Sequence, residues 1–190
     1  MRHFGPWVLL LAVSFAAAAA DPEVRIERNG DSYAVFARLA VDVDRSTAWS
    51  VITDYNRLPD FVPDMDESRI VSRPGEPTLV RQAGAWKFLG YSVPVQIVAR
   101  VEEQPMRSVR FHSVSGNVRI ENGEWSIADQ GAGVAITYRV ECTPEFWVPP
   151  LLGSLLIRRD VRTKLERVTQ EMLRRSAAQG RKSSQPVPAS

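Results

Sequence analysis

From Tyr33 onward the chain alternates. Tyr33, Val35, Ala37, Leu39, Val41 and Val43 fall on one face, and Arg38 and Asp42 fall on the other, as in a strand with one buried and one wet side. A shorter run over 24–28 precedes it. Asn29-Gly30 supplies the positive backbone angles of a two-residue turn, so the two runs read as a hairpin. The period then changes. Asp44 and Ser46 are suited to cap a helix, Trp49, Val51 and Ile52 form its apolar side, and it must stop before Pro59, with a second helical turn bounded by Pro63. Strand patterns return over 69–73, 78–88, 91–103, 108–114, 118–127 and 134–143. They are separated by Pro74-Gly75, Gly90, Gln104-Pro105, Gly116-Asn117 and Gly131-Ala132-Gly133. Parallel neighbours would each need a crossover of a dozen or more residues, so these short turns predict an antiparallel meander. The only long helical period comes last. Over 151–175 the positions Leu152, Leu155, Leu156, Val161, Leu165, Val168 and Met172 form a stripe wide enough to cover a sheet. The fold class is therefore α+β, a curved sheet facing one long helix. Apolar periodicity is gone beyond Gly180, and 177–190 is expected to be a disordered tail.

Composition adds a destination. Arg2 precedes an apolar run from Trp7 to Ala20 that ends in Ala18-Ala19-Ala20, the pattern of a secretory leader cleaved after Ala20. The run is padded with alanine and short for the roughly 20 residues of a spanning helix. No cysteine follows it for a lipid anchor, so the expectation is an exported protein, naturally of a Gram-negative periplasm. The rest suits one domain, 21–176, which at this size buries roughly two thirds of its unfolded surface without staples. Cys142 is the single cysteine. It has no intrachain partner, and its strand setting reads as a small buried hydrophobe. The formal net charge of +2 falls further when Arg2 leaves with the leader, which argues against the electrostatic footprint of a nucleic-acid binder.

Catalytic constellations are sparse. His112 is the one histidine left after export, which excludes multi-histidine metal sites, and it alternates with Phe111 so that it faces the opposite way. Asp54, Asp60, Asp64, Asp66 and Glu67 cluster but lack the ligand alternation and glycine of a calcium loop, so they read as turn and loop carboxylates. Gly131 and Gly133 sit in a hairpin with no helix behind them to cradle phosphate. No metal, cofactor or catalytic set is expected.

The stretch from Trp49 to Pro63, Gln82 with Gly84, Glu103 with Pro105, Gly123 with Trp125, and a long helix introduced by Trp147, Pro149 and Pro150 together resemble the START-like superfamily, in its polyketide cyclase/dehydrase and coenzyme Q-binding branch. The resemblance covers residues 35–175. It implies a helix-grip fold, in which a curved antiparallel sheet wraps around a long C-terminal helix and two short helices follow the first long strand. It also implies a cavity between sheet and helix for a hydrophobic or amphipathic small molecule. Large side chains gather where strand ends and helix should meet: Trp86, Phe88, Tyr91, Phe111, Trp125, Tyr138, Phe146 and Trp147. They serve either as core or as cavity wall.

The expected ligand-binding set is Gln82, Trp86, Tyr91, Phe111, Trp125, Tyr138, Trp147, Leu152 and Leu156. Gln82 shares a face with Val80, Gly84 and Trp86, as a polar group inside an apolar lining. Gly123 leaves volume beside Trp125, or else marks a bulge. The segment 146–156, with Gly153 as a hinge, is expected to act as a lid. Arg158, Arg159, Arg162, Lys164, Arg167, Arg174 and Arg175 form either a solvated face or, with the lid, a peripheral dock for anionic lipid.

Three functions compete. The first is a periplasmic carrier of a lipid, isoprenoid quinone or polycyclic compound. The second is a cyclase or dehydrase handling protons with Tyr138, Gln82 and Arg100. The third is a membrane-associated interaction module using the apolar segment 146–156.

Overall fold

The structure is a computed structural model and describes residues 21–88 and 90–183. The expected leader and cleavage site lie outside the described residues, as does the tail beyond 183.

Strands β1 (Glu23–Asn29) and β2 (Ser32–Val41) form the expected hairpin, with Gly30 at φ 63° in its turn. Helix α1 (Arg45–Ile52) and a 3-10 helix (Tyr55–Asp60) follow. Then come β3 (Met65–Ile70), β4 (Thr78–Phe88), β5 (Tyr91–Gln104), β6 (Ser108–Gly116), β7 (Val118–Gln130) and β8 (Gly133–Pro144), and last the helix α2 (Gly153–Ser183). The eight strands lie in one sheet of order β1-β2-β8-β7-β6-β5-β4-β3, every pair antiparallel. The six-strand meander thus ends on β8, which returns to pair with β2. This is the helix-grip fold.

Asp44 is the cap of α1. Its carboxylate accepts from the Thr47 backbone N–H at 2.8 Å and from the Thr47 hydroxyl at 2.6 Å, and Ser46 donates to it. The Ser46 hydroxyl, then that of Thr47, holds the Asp44 carboxyl down at about 2.

The register of β2 on β8 (Val35↔Val140, Ala37↔Tyr138, Leu39↔Ile136) turns the apolar half of both strands toward α2, and Val35, Ala37, Leu39 and Val41 are buried there. Leu165, Val168 and Met172 of α2 share the main core with Ala48, Val51 and Ile52 of α1. The far end of α2 is stapled to α1. Arg175 donates to the Asp54 carboxylate at 2.7 Å, to the Ser50 carbonyl at 3.0 Å and to Glu171 at 2.7 Å.

Two elements depart from expectation. Strand β3 starts at Met65, ahead of the predicted 69–73, because Asp64 turns the chain at φ 60° and the polar run Asp66 to Arg69 hides an edge strand. Gly84 makes that turn feasible, since a Cβ there would stand 2.1 Å from the Asp64 carbonyl oxygen. Helix α2 runs to Ser183, past the expected end at Arg175 and into the segment expected as tail. Leu152 and Leu155 do not join its inward stripe: they are 42% and 62% exposed. Gly153 explains this. It packs so closely on β2 that a Cβ would come within 2.8 Å of the Tyr33 hydroxyl, which fixes the phase of the first turn. From that phase the inward positions are Ile157, Val161, Leu165, Val168 and Met172, and Leu155 points out.

Candidate ligand cavity

Because α2 packs toward β1, β2 and α1, it leaves space over β4 and β5. A chamber of about 250 Å³ occupies that space. Alternation places Gln82, Gly84 and Trp86 of β4, Val95 and Ile97 of β5, Ile120 of β7, and Tyr138, Val140 and Cys142 of β8 on its sheet side. Ile157, Asp160, Val161 and Lys164 of α2 face them. Deeper along α2 lies a second chamber of about 170 Å³, walled by Val51, Ile52, Leu58, Trp125, Leu165 and Val168. Met65, Tyr138, Val161 and Lys164 line both, so the two chambers meet at these four side chains.

The walls are apolar apart from a few groups. The Gln82 amide makes a long 3.4 Å hydrogen bond to the buried Ser68 hydroxyl. Lys164 donates to Asp160 at 2.8 Å, one helical turn apart. The Tyr138 hydroxyl has no hydrogen-bond partner among the described residues, and it is not sealed in protein either, so it faces the void. Burial above all, then Cys142 and Asp160, pushes its pKa up, which keeps it a protonated donor. Burial, then Glu121, pushes the Cys142 thiol up to about 11.

Of the expected binding set, Gln82 and Trp86 line the larger chamber, Trp125 lines the smaller and Tyr138 lines both. Phe111 lines neither. Its ring lies 6.4 Å from that of Tyr138 at 17° and backs it from behind. Phe111 also answers the Gly123 question. A Cβ on Gly123 would sit 2.1 Å from the Phe111 ring, so the missing side chain makes room for that ring and leaves no open volume; a bulge does lie next to it, between Ile120 and Asn122. Tyr91, Trp147 and Leu152 lie outside the cavity, 70%, 71% and 42% exposed. Tyr91 sits at the tip of the β4–β5 hairpin, past the cavity wall, at the end of a row of rings running Phe146, Trp86, Phe88, Tyr91 with centroids 6.1, 4.5 and 5.9 Å apart. Leu156 is half-buried and lines neither chamber, because the phase set by Gly153 gives its place to Ile157. Within the segment expected as a lid, Phe146 and Val148 do line the larger chamber.

Sequence reasoning missed Met65, Ile120, Ile157, Val161, Asp160 and Lys164 as lining residues. Lys164 reads in the sequence as part of the basic face of α2, and Asp160 lies one turn before it. Their phase relative to Val161 and Leu165 was the available signal. Arg100 pairs in register with the exposed His112 on the outer face, away from the cavity. The carboxylates near β3 are engaged in ion pairs: Asp64 with Lys87, Glu67 with Arg69 and Arg81, and Asp60 with Arg57. A larger depression of about 660 Å³ on the outer face is walled mainly by charged chains such as Arg110, Glu124, Arg139 and Glu141, which distinguishes it from the apolar space under α2.

A family profile described as polyketide cyclase / dehydrase and lipid transport matches residues 41–169. Among solved structures, a STAR-related lipid transfer protein from Xanthomonas axonopodis superposes with a TM-score of 0.62 at 16% identity, covering 83% of this chain and 96% of that one. The Zhui aromatase/cyclase of a Streptomyces species gives 0.62 at 14%, covering 82% and 99%. Human STARD10 gives 0.68 at 12%, covering 85% and 73%. At these identities the likeness establishes the fold. No curated protein matches the sequence significantly.

Proposed function

The chain belongs to the polyketide cyclase/dehydrase and lipid transport family, and from that premise we propose that it binds and transfers a hydrophobic small molecule, a lipid, isoprenoid quinone or polycyclic compound, in an exported, periplasmic setting. The observation that carries the reading is the two-chambered cavity between sheet and α2, apolar on most of its wall and supplied with few polar groups, the usual make-up of a small-molecule site. The leader pattern at the N-terminus supports export. Val161 stands where the chambers meet, so Val161→Phe should fill the junction. The expected result is that an apolar fluorescent probe saturates the wild type at one per chain and binds the variant at least tenfold more weakly; equal binding would argue against the cavity as the site.

Transfer needs a way to reach the donor membrane. Trp147, Leu151 and Leu155 are 71%, 96% and 62% exposed, next to Phe146 and Val148 of the chamber wall, and Arg158 and Arg159 follow on the same helix without a carboxylate partner among the described residues. Exposed apolar side chains beside unpaired arginines suit peripheral attachment to anionic lipid. Vesicle flotation should bring the protein up with anionic vesicles and leave it behind with neutral ones or in high salt; flotation that ignores lipid charge would count against this surface.

A cyclase or dehydrase activity is the second reading, favoured by the unpartnered Tyr138 hydroxyl, a donor held protonated inside the cavity.

A further inference from the structure

The four side chains shared by the chambers divide evenly. Met65 and Val161 are apolar, whereas Tyr138 and Lys164 bring hydrogen-bond donors to the middle of the cavity. The smaller chamber beyond them is lined by apolar side chains throughout, and much of the larger one is too, including Trp86, Ile97, Ile120 and Val140. We propose that this junction selects ligands carrying an oxygen, as a ketone or hydroxyl, between two apolar portions, with the Tyr138 hydroxyl donating to that oxygen and the Lys164 ammonium as a second donor. The inference rests on the cavity being the binding site.

Tyr138 is built to stay where it is. Its ring is held between Phe111, 6.4 Å away and nearly parallel, and Trp125, 4.5 Å away at 42°, and its backbone is fixed between Ala37 of β2 and Trp125 of β7. The hydroxyl has no protein partner among the described residues to which it could turn. Lys164 gives one bond to Asp160, which leaves donors of its ammonium free. A ligand that is hydrocarbon along its middle would strip water from the Tyr138 hydroxyl and offer nothing in return, whereas Lys164, 35% exposed, keeps Asp160 and solvent. Leaving a buried polar group unpaired is more costly than forming its bond is rewarding, and that asymmetry produces selectivity. A polar group at the end of an otherwise apolar ligand does not relieve the cost, because with both chambers filled the end lies away from the junction.

The test is a competition between hexadecanoic acid and its mid-chain keto analogue, equimolar, read as the ratio of the two complexes by native mass spectrometry. The wild type should prefer the keto acid by roughly three- to tenfold, the worth of one or so neutral hydrogen bonds. Tyr138→Phe should bring the ratio near one, and it removes no protein hydrogen bond on which folding depends. Lys164→Met should lower it part of the way. Binding of both acids without preference in the wild type, or a preference that survives in Tyr138→Phe, overturns the inference and leaves the carrier reading intact. Binding of neither acid by a wild type that also takes up no apolar fluorescent probe overturns the carrier reading, and this inference with it.

Discussion

Tyr33 is 2% exposed, and its hydroxyl lies against Gly153 at the start of α2 with no hydrogen-bond partner among the described residues. A hydroxyl shut in this way loses its bonds to water and gains none, at a cost of about 1–3 kcal/mol. Tyr33→Phe keeps the ring and removes the orphan, so it should raise the unfolding free energy by about 1 kcal/mol in a denaturant titration; a loss of stability would show that the hydroxyl has a partner in solution. This is a detail alternation cannot supply. The pattern places Tyr33 on the buried face but is silent on what its distal atom meets. Gly123 teaches the same lesson. As a glycine beside a tryptophan it reads equally as empty volume or as a bulge, and only the position of the Phe111 ring decides. Strand faces are local and periodic, so Gln82, Trp86, Trp125 and Tyr138 were legible as inward residues; what fills the space between strands is a long-range fact.

At the scale of elements, a group of charged side chains adds to the apolar core in holding α2 against α1. Glu171 is 7% exposed and accepts from Arg174 and Arg175, and Arg175 continues to Asp54 beside α1. Arg174 first and then Arg175 hold the Glu171 carboxyl at about 2, below its ordinary 4.5. A depressed carboxylate pKa contributes stability that is complete above the ordinary value and is lost as pH falls through 4.5 toward about 2. Glu171→Gln should therefore lower stability at neutral pH by roughly 1–3 kcal/mol and flatten the fall of stability in that acid window. An unchanged acid transition would remove Glu171 as its source. The helix itself was readable from its stripe, and its inner half was right. Its first turn was not, because the phase there is set by Gly153 closing on Tyr33, a contact across more than a hundred residues of chain. The edge strand β3 escaped for the opposite reason: its sequence is polar, and its position comes from pairing with β4.

For the whole molecule, the central feature is a sheet that α2 covers on one side only, so that the apolar faces of β4, β5 and β8 surround a void. The antiparallel meander and the terminal helix follow from turn spacing and apolar period, which is why the architecture is legible in the sequence. The cavity was legible only as a surplus of large side chains, some of which line it while others, such as Phe111, back the wall or, such as Tyr91 and Trp147, lie outside it. Binding of a hydrophobic molecule in that void is the claim on which transfer, membrane docking and the selectivity of the junction all depend. Its most direct test is to purify the protein from its native host and weigh the intact chain under native conditions, then extract it with organic solvent and weigh what is released. A single hydrophobic adduct at one per chain, absent from Val161→Phe prepared in the same way, is the predicted result. An adduct-free wild type that also fails to take up any apolar probe would contradict the account.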